Sequence, residues 1–228
     1  MKSPEQLHSE ETVAQTPTYG LLMIKPNAMK VVLDPSIISI FDGAVPSVFQ
    51  NEQCNFIADL DRVSICGRYY RNLSKVPYYE QLIALFYGDK KTKRYFSMIS
   101  EFYHGEVVFL LLKYNGTNEQ MKDFMTRVKG EAETFDVSGQ QVSKPKGIRG
   151  VLSAPYLYYS AEASNDLDDK EYRHAFSPVV QNFIHVCDTP KETAMALNLL
   201  LTNYDLEDLK NREHGFIEFV ENNLVKSN

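Results

Sequence analysis

The segment "EVVFLLLKY", Glu106 to Tyr114, constrains the chain most. It is a near-continuous apolar run, too short to span a membrane and too apolar to face water on one side. Such a run reads as a strand in the middle of a sheet. Three further segments read as its neighbours. "YGLLMIKP", Tyr19 to Pro26, is a buried strand stopped by proline. "RVSICGRYYRNL", Arg62 to Leu73, is rich in β-branched and aromatic residues, and "VVQNFIHVC", Val179 to Cys187, supplies a fourth strand.

Helical patterns alternate with these strands. "DPSIISIF" begins with Asp34 as N-cap and Pro35 in the first turn. "VPYYEQLIALFYG" and "KTKRYFSMISEFYHG" carry apolar residues at helical spacing and end on Gly88 and Gly105. "TNEQMKDFMTRVKG" opens with Thr117 and Gln120 as a capping box. "TPKETAMALNLLLTNY" opens with Thr189 as cap and Pro190 behind it, and "DLEDLKNREHGFIEFVENNL" reads as a polar terminal helix or pair. Strands alternating with helices predict an α+β fold: a ferredoxin-like, four-stranded antiparallel sheet with helices on one face. Residues 1–17 read as a disordered leader. Residues 18–228 read as a single domain with insertions near 31–60 and 153–177.

Composition narrows the class. Hydrophobic residues make up 43% and charged residues 24%, ordinary for a globular protein, and the net charge of −6 argues against a nucleic-acid coat. No apolar run reaches membrane-spanning length and the N-terminus has no signal-peptide core, so a cytoplasmic protein is expected. Three widely spaced cysteines, Cys54, Cys66 and Cys187, form neither a disulfide framework nor a zinc knuckle. There is no GxxxxGK(S/T), no GxGxxG after a strand and no HExxH. The acidic cluster Asp166, Asp168, Asp169 and Glu171 matches no calcium loop and reads as a solvated loop.

What remains is a dispersed set of cations and one histidine at a strand end. Lys25 closes the first strand, Arg149 sits between two glycines in "GIRG", and Asn182 and His185 lie in "NFIH". Taken singly, each is more often a solvated or structural residue than a functional one.

Taken in order, "LLMIKPNA", "GEVVFLLLKYNG", "KGIRGVL" and "NFIHVCDTPKETAMALNLL" resemble the nucleoside diphosphate kinase family, with its "IKPD", "GPVV", "GTIRGDF" and "NxxHGSDSxESA" segments. The resemblance runs from Tyr19 to about Tyr204. It implies a phosphotransferase that moves the γ-phosphate of a nucleoside triphosphate to a nucleoside diphosphate through a phosphohistidine, here on His185. A neutral imidazole is a competent nucleophile near neutral pH. The resemblance implies nucleotide-binding roles for Lys25 and Arg149 on the phosphates and for Asn182 on the ribose. "FYGDKKTKRYF" resembles "HYxDLKDRPFF", which adds Tyr87 and a base-stacking Phe96. "MTRVKGE" resembles "TGRVMLGET", which adds Arg127, with Thr134 as a phosphate-contacting threonine. Mg²⁺ is implied as cofactor, held through the nucleotide phosphates and not by a protein metal site. The implied partners are the two nucleotides, without nucleic acid or membrane, and a homo-oligomer is left open.

The departures are specific. "HGSD" is "HVCD" here, which places Val186 and Cys187 after the histidine. The family's imidazole-orienting glutamate, eleven residues beyond the histidine, falls on Ala196, so another acceptor or a water is expected to take that task, with Glu192 or a carboxylate of the Asp166–Glu171 cluster as candidates. "IRGDF" is "IRGVL", and the segment Ser153 to Ser177 is expected to lie beside the cleft with Tyr156, Tyr158 and Tyr159 packed on the domain. Two alternatives stay open: a weak or inactive nucleotide-binding pseudoenzyme acting as a sensor or interaction module, and a ferredoxin-like interaction domain without a nucleotide.

Overall fold

The computed structural model describes residues 17–26, 59, 61–76, 79–88, 104–131, 134–135, 138, 140–143, 146–149, 158–159 and 184–224. Its centre is a four-stranded antiparallel sheet. β1 (Thr18–Ile24), β2 (Val63–Asn72), β3 (Glu106–Tyr114) and the later β7 (Ile184–Val186) stand in the order β2-β3-β1-β7. This is the ferredoxin-like order expected from alternating strands and crossovers. A second small sheet joins β4 (Thr134–Phe135), β5 (Gln141–Ser143) and β6 (Tyr158–Tyr159). The helices are α1 (Tyr79–Tyr87), α2 (Asn118–Lys129), α3 (Pro190–Leu200), α4 (Asn203–Arg212) and α5 (His214–Leu224).

Strand β1 pairs with β3 from Thr18↔Tyr114 to Ile24↔Val108 and with β7 from Leu22↔Val186 to Ile24↔Ile184. All seven of its residues are buried. Alternate residues of a strand face opposite ways, so both faces of β1 are covered. Tyr19, Leu21 and Met23 belong to the core cluster with Ala194, Leu197 and Phe216 of α3 and α5. Gly20 faces the other way, where a side chain would meet Met121 and Met125 of α2. The helical cover therefore extends beyond the single face expected from the sequence: α2 lies opposite α3 and α5. The run "EVVFLLLKY" is buried from Val107 to Leu112 for the same reason.

The helix starts follow the sequence. Thr117 and Gln120 form the capping box of α2, and Thr189 caps α3 with Pro190 in its first turn. The polar terminal segment is a pair of helices, broken at Glu213, whose N–H bonds Leu209 O at 2.8 Å. Tyr158 and Tyr159 pair in parallel with Thr134 and Phe135, so the segment after Gly150 returns to the strand after α2. The leader apart from Pro17, the insertion near 31–60 apart from Asp59, the helical segments at 34–41 and 91–103, Tyr156 and the rest of 153–177 lie outside the described residues. Among the described residues, no helix is long and apolar enough to cross a membrane.

The end of α2 is locked to the 146–149 segment by backbone contact. Gly130 has φ 62° and ψ −160°, a conformation that essentially only glycine adopts. A Cβ there would lie 1.9 Å from the carbonyl oxygen of Lys146, and one on Gly147 would lie 2.7 Å from Gly130 Cα. No side chain can rotate away to relieve these contacts. Gly130→Ala is therefore expected to destabilise the fold by about 2–4 kcal/mol, as backbone strain and overlap add. Equilibrium denaturation measures this; a loss under 1 kcal/mol would show that the two segments are not so tightly joined.

Candidate functional site around His185

His185 sits in the middle of β7, directly opposite Met23 of β1. It therefore faces the side of the sheet covered by α1 and α3. The strand ends at once, Thr189 caps the next helix, and its hydroxyl accepts from the Glu192 N–H at 3.1 Å. Glu192 thus stands in the first turn of α3, where the helix dipole favours a carboxylate. One of its oxygens, Oε2, accepts from the Asp188 N–H at 2.8 Å. The other, Oε1, lies 3.4 Å from His185 Nε2. That contact is electrostatic: Nε2 completes no hydrogen bond in this arrangement.

The end of α1 closes the other side of the imidazole. The Phe86 ring packs on it with centroids 3.9 Å apart and planes inclined by 32°, and the Tyr87 ring is 5.9 Å away. His185 is only 8% exposed.

Two cations share this end of the sheet. Lys25 follows β1 directly and is fully buried. Arg149 closes the 147–149 turn, and its Nη2 donates to Ile184 O at 3.5 Å. Burial holds the Lys25 amine well below its ordinary pKa, and the Arg149 charge pushes the same way. Beyond them, Lys129 donates to Asp188 Oδ1 at 3.0 Å. Burial pushes the Asp188 carboxyl upward, but the bond and charge of Lys129, with His185 and Arg149 behind, leave it below its usual range.

The structure thus brings His185, Lys25, Arg149 and Tyr87 to one region. Arg127 is engaged elsewhere: its Nη2 meets Asp59 Oδ2 at 2.5 Å, and Asp59 Oδ1 accepts from Tyr114 at 2.9 Å. That pair occupies one nitrogen of the guanidinium and draws it toward Asp59. Thr134 lies in β4, paired with Ser143 and Tyr158. Phe96, Asn182 and the Asp166–Glu171 cluster lie outside the described residues. Ala196, at the position of the family's glutamate, is fully buried. The carboxylate beside the imidazole is Glu192. Phe86 and Lys129 escaped the sequence reading, because a core aromatic and a helix-end lysine carry no signal of their own.

No protein-family model and no curated protein matches the chain. Among solved structures it is similar to the nucleoside diphosphate kinase of Aquifex aeolicus, at 15% identity over 83% of this chain and 98% of that one, with a TM-score of 0.46. It is also similar to the nucleoside-diphosphate kinase of Borrelia burgdorferi, a transition-state mimic with bound vanadate and ADP, at 14% identity over 83% of this chain and 90% of that one, with a TM-score of 0.48. The likeness is one of overall fold and assigns no residue its role.

The surroundings set the protonation of His185. Burial lowers its pKa below the ordinary 6.5; Glu192 pulls upward, and Lys25 and Arg149 push further down. The imidazole is therefore neutral at pH 7. Between the folded and unfolded values the unfolded chain binds more protons, so the contribution to stability is complete above about pH 6.5 and is lost as pH falls through the folded value. An NMR titration of His185 is expected to show a midpoint below 6.5. Glu192→Gln should lower it further, and a midpoint at or above that of a free histidine would refute this balance.

Proposed function

We propose that this protein is a phosphotransferase that takes the γ-phosphate of a nucleoside triphosphate onto His185 and passes it to a nucleoside diphosphate in a ping-pong cycle. One observation carries the reading: a neutral, buried imidazole with a carboxylate at Nε2 and two cations, Lys25 and Arg149, acting on it. A packed core gains nothing from two neighbouring cations, whereas a phosphate chain does.

The chemistry follows from the ring. A carboxylate beside Nε2 favours the tautomer with the proton on that nitrogen. The lone pair then lies on Nδ1, which attacks the γ-phosphorus. As the phosphoryl group transfers, the imidazole gains positive charge and Glu192 stabilises it. The bond to the β-phosphate oxygen breaks, and the diphosphate leaves with that electron pair. Lys25 and Arg149 offset the charge on the phosphoryl oxygens. An arriving phosphate also reverses the forces on Lys25, because an adjacent anion favours the charged amine that burial opposes. A second diphosphate attacks the phosphohistidine by the reverse path.

Mg²⁺ fits the donor set as a nucleotide-borne ion. Asp188, with a side chain 60% exposed, is a hard oxygen donor three residues past the histidine and suits a water ligand of such an ion. When bound, the ion would neutralise charge on the phosphates.

A second reading, a nucleotide-binding protein without turnover, draws on the same burial. Phe86 at 3.9 Å covers one side of a ring that is only 8% exposed, which restricts approach to it.

Incubation with γ-labelled ATP and Mg²⁺ decides between them. The wild type is expected to form an acid-labile phosphoenzyme that ADP discharges. His185→Ala should abolish it while leaving nucleotide binding nearly intact. Glu192→Ala should slow it by about 10- to 100-fold. A wild type that binds nucleotide and never labels supports the second reading; one that binds no nucleotide refutes both.

A further inference from the structure

Three donors of different chemistry converge beside the nucleophile. His185, Cys187 and Glu192 each offer one atom, and these atoms all lie within 4.8 Å of one another. The local fold explains the grouping. His185 and Cys187 are two residues apart on an extended segment and share a face, and Glu192 turns back from the start of α3. Cys187 is 4% exposed, and the side chain of Glu192 is 15% exposed. His185 Nε2 is a buried nitrogen that completes no hydrogen bond. A buried nitrogen left with only a long 3.4 Å carboxylate contact has room for a further partner, and a bound ion is one.

The spacing fits a metal. In a tetrahedral site with bonds of about 2.1 Å, two nitrogen or oxygen ligands stand about 3.4 Å apart. Nε2 and Oε1 are separated by 3.4 Å. A sulfur ligand would stand about 3.6 Å from either, and the three residues' donor atoms are grouped within 4.8 Å.

We propose that His185, Cys187 and Glu192 form a zinc-binding site. Imidazole, thiolate and carboxylate together select a borderline-soft ion over Mg²⁺ or Ca²⁺. Three protein ligands leave the fourth tetrahedral position to water. Binding releases the thiol proton to solvent, and the two ligand charges then balance the ion in a buried place.

Occupancy has a consequence for the ring. A neutral imidazole carries one N–H. With the Nε2 lone pair on zinc, that proton resides on Nδ1, which then has no lone pair to attack phosphorus. Zinc and phosphate therefore exclude each other at His185. This consequence rests on the phosphotransfer reading; the metal site does not.

The test titrates the full-length protein, freed of metal by a chelator, with Co²⁺ alone. One equivalent is expected to raise a near-ultraviolet thiolate-to-cobalt band together with the visible bands of tetrahedral cobalt, and Zn²⁺ should then remove both. Cys187→Ser should lose the thiolate band. Glu192→Gln should keep the band and bind Co²⁺ at least about tenfold more weakly. X-ray absorption of the zinc-loaded wild type needs no variant. It should show one sulfur at about 2.3 Å among lighter ligands near 2.0 Å. No thiolate band in the wild type, a band that survives in folded Cys187→Ser, or a zinc shell without sulfur would each overturn the site. Desalted metal-free and zinc-loaded protein are then given Mg²⁺ and γ-labelled ATP. Label on the metal-free form alone supports mutual exclusion, and label on both overturns it. Label on neither, with the cobalt spectrum intact, overturns the phosphotransfer reading and leaves the zinc site standing.

Discussion

The double pairing of β1 governs the rest of the molecule. It is hydrogen-bonded to β3 along its whole length on one edge and to β7 over Leu22–Ile24 on the other, so the backbone of its second half is used on both edges. Its side chains are buried on both faces and fix its register, because a slip of one residue would exchange the two faces. The same strand leads directly into Lys25 and, through the Met23↔His185 pair, sets the height of the imidazole. The position of the lysine relative to the histidine is therefore a property of the ladder.

Electrostatics at this end of the sheet runs against the fold. Lys25 is fully buried beside a guanidinium, and the imidazole is driven toward neutrality by burial and by both cations. Such arrangements cost stability unless something offsets them. Packing elsewhere is generous: Phe109, Leu110, Leu111 and Leu112 of β3 are completely buried, and Tyr19 meets Phe216 edge-on at 5.5 Å. A strong core lets one corner of the domain hold charge in an unfavourable place.

Much of the fold was legible because each signal was local. The apolar run at 106–114, the capping box at Thr117 and the Thr189-Pro190 helix start depend on neighbours in sequence, and the structure has all three. Coverage of the second face was not legible, since "YGLLMI" shows that a strand is buried but not from which sides. At the candidate site, His185, Lys25 and Arg149 stood out as residue types at strand ends and between glycines. The partner of the imidazole could only be narrowed. Its identity depends on how the cap directs a side chain seven residues away, and that geometry is set by the bonds of Glu192 to Asp188 and Thr189. The Arg127–Asp59 pair was illegible for the same reason: it joins positions 68 residues apart.

The contact of Gly130 with Gly147 bears on how such a site can change over time. The chain leaves α2 and returns through a bridge between Glu131 and Lys146, with bonds of 2.9 and 2.8 Å. Lys129 lies just before that crossing and Arg149 just after it, so the residues between 131 and 146 form a closed excursion whose ends are pinned together. A change of length between its paired strands, β4 and β5, would lengthen a loop without separating the two cations. The crossing itself should stay glycine on both sides, whatever the loop beyond it does.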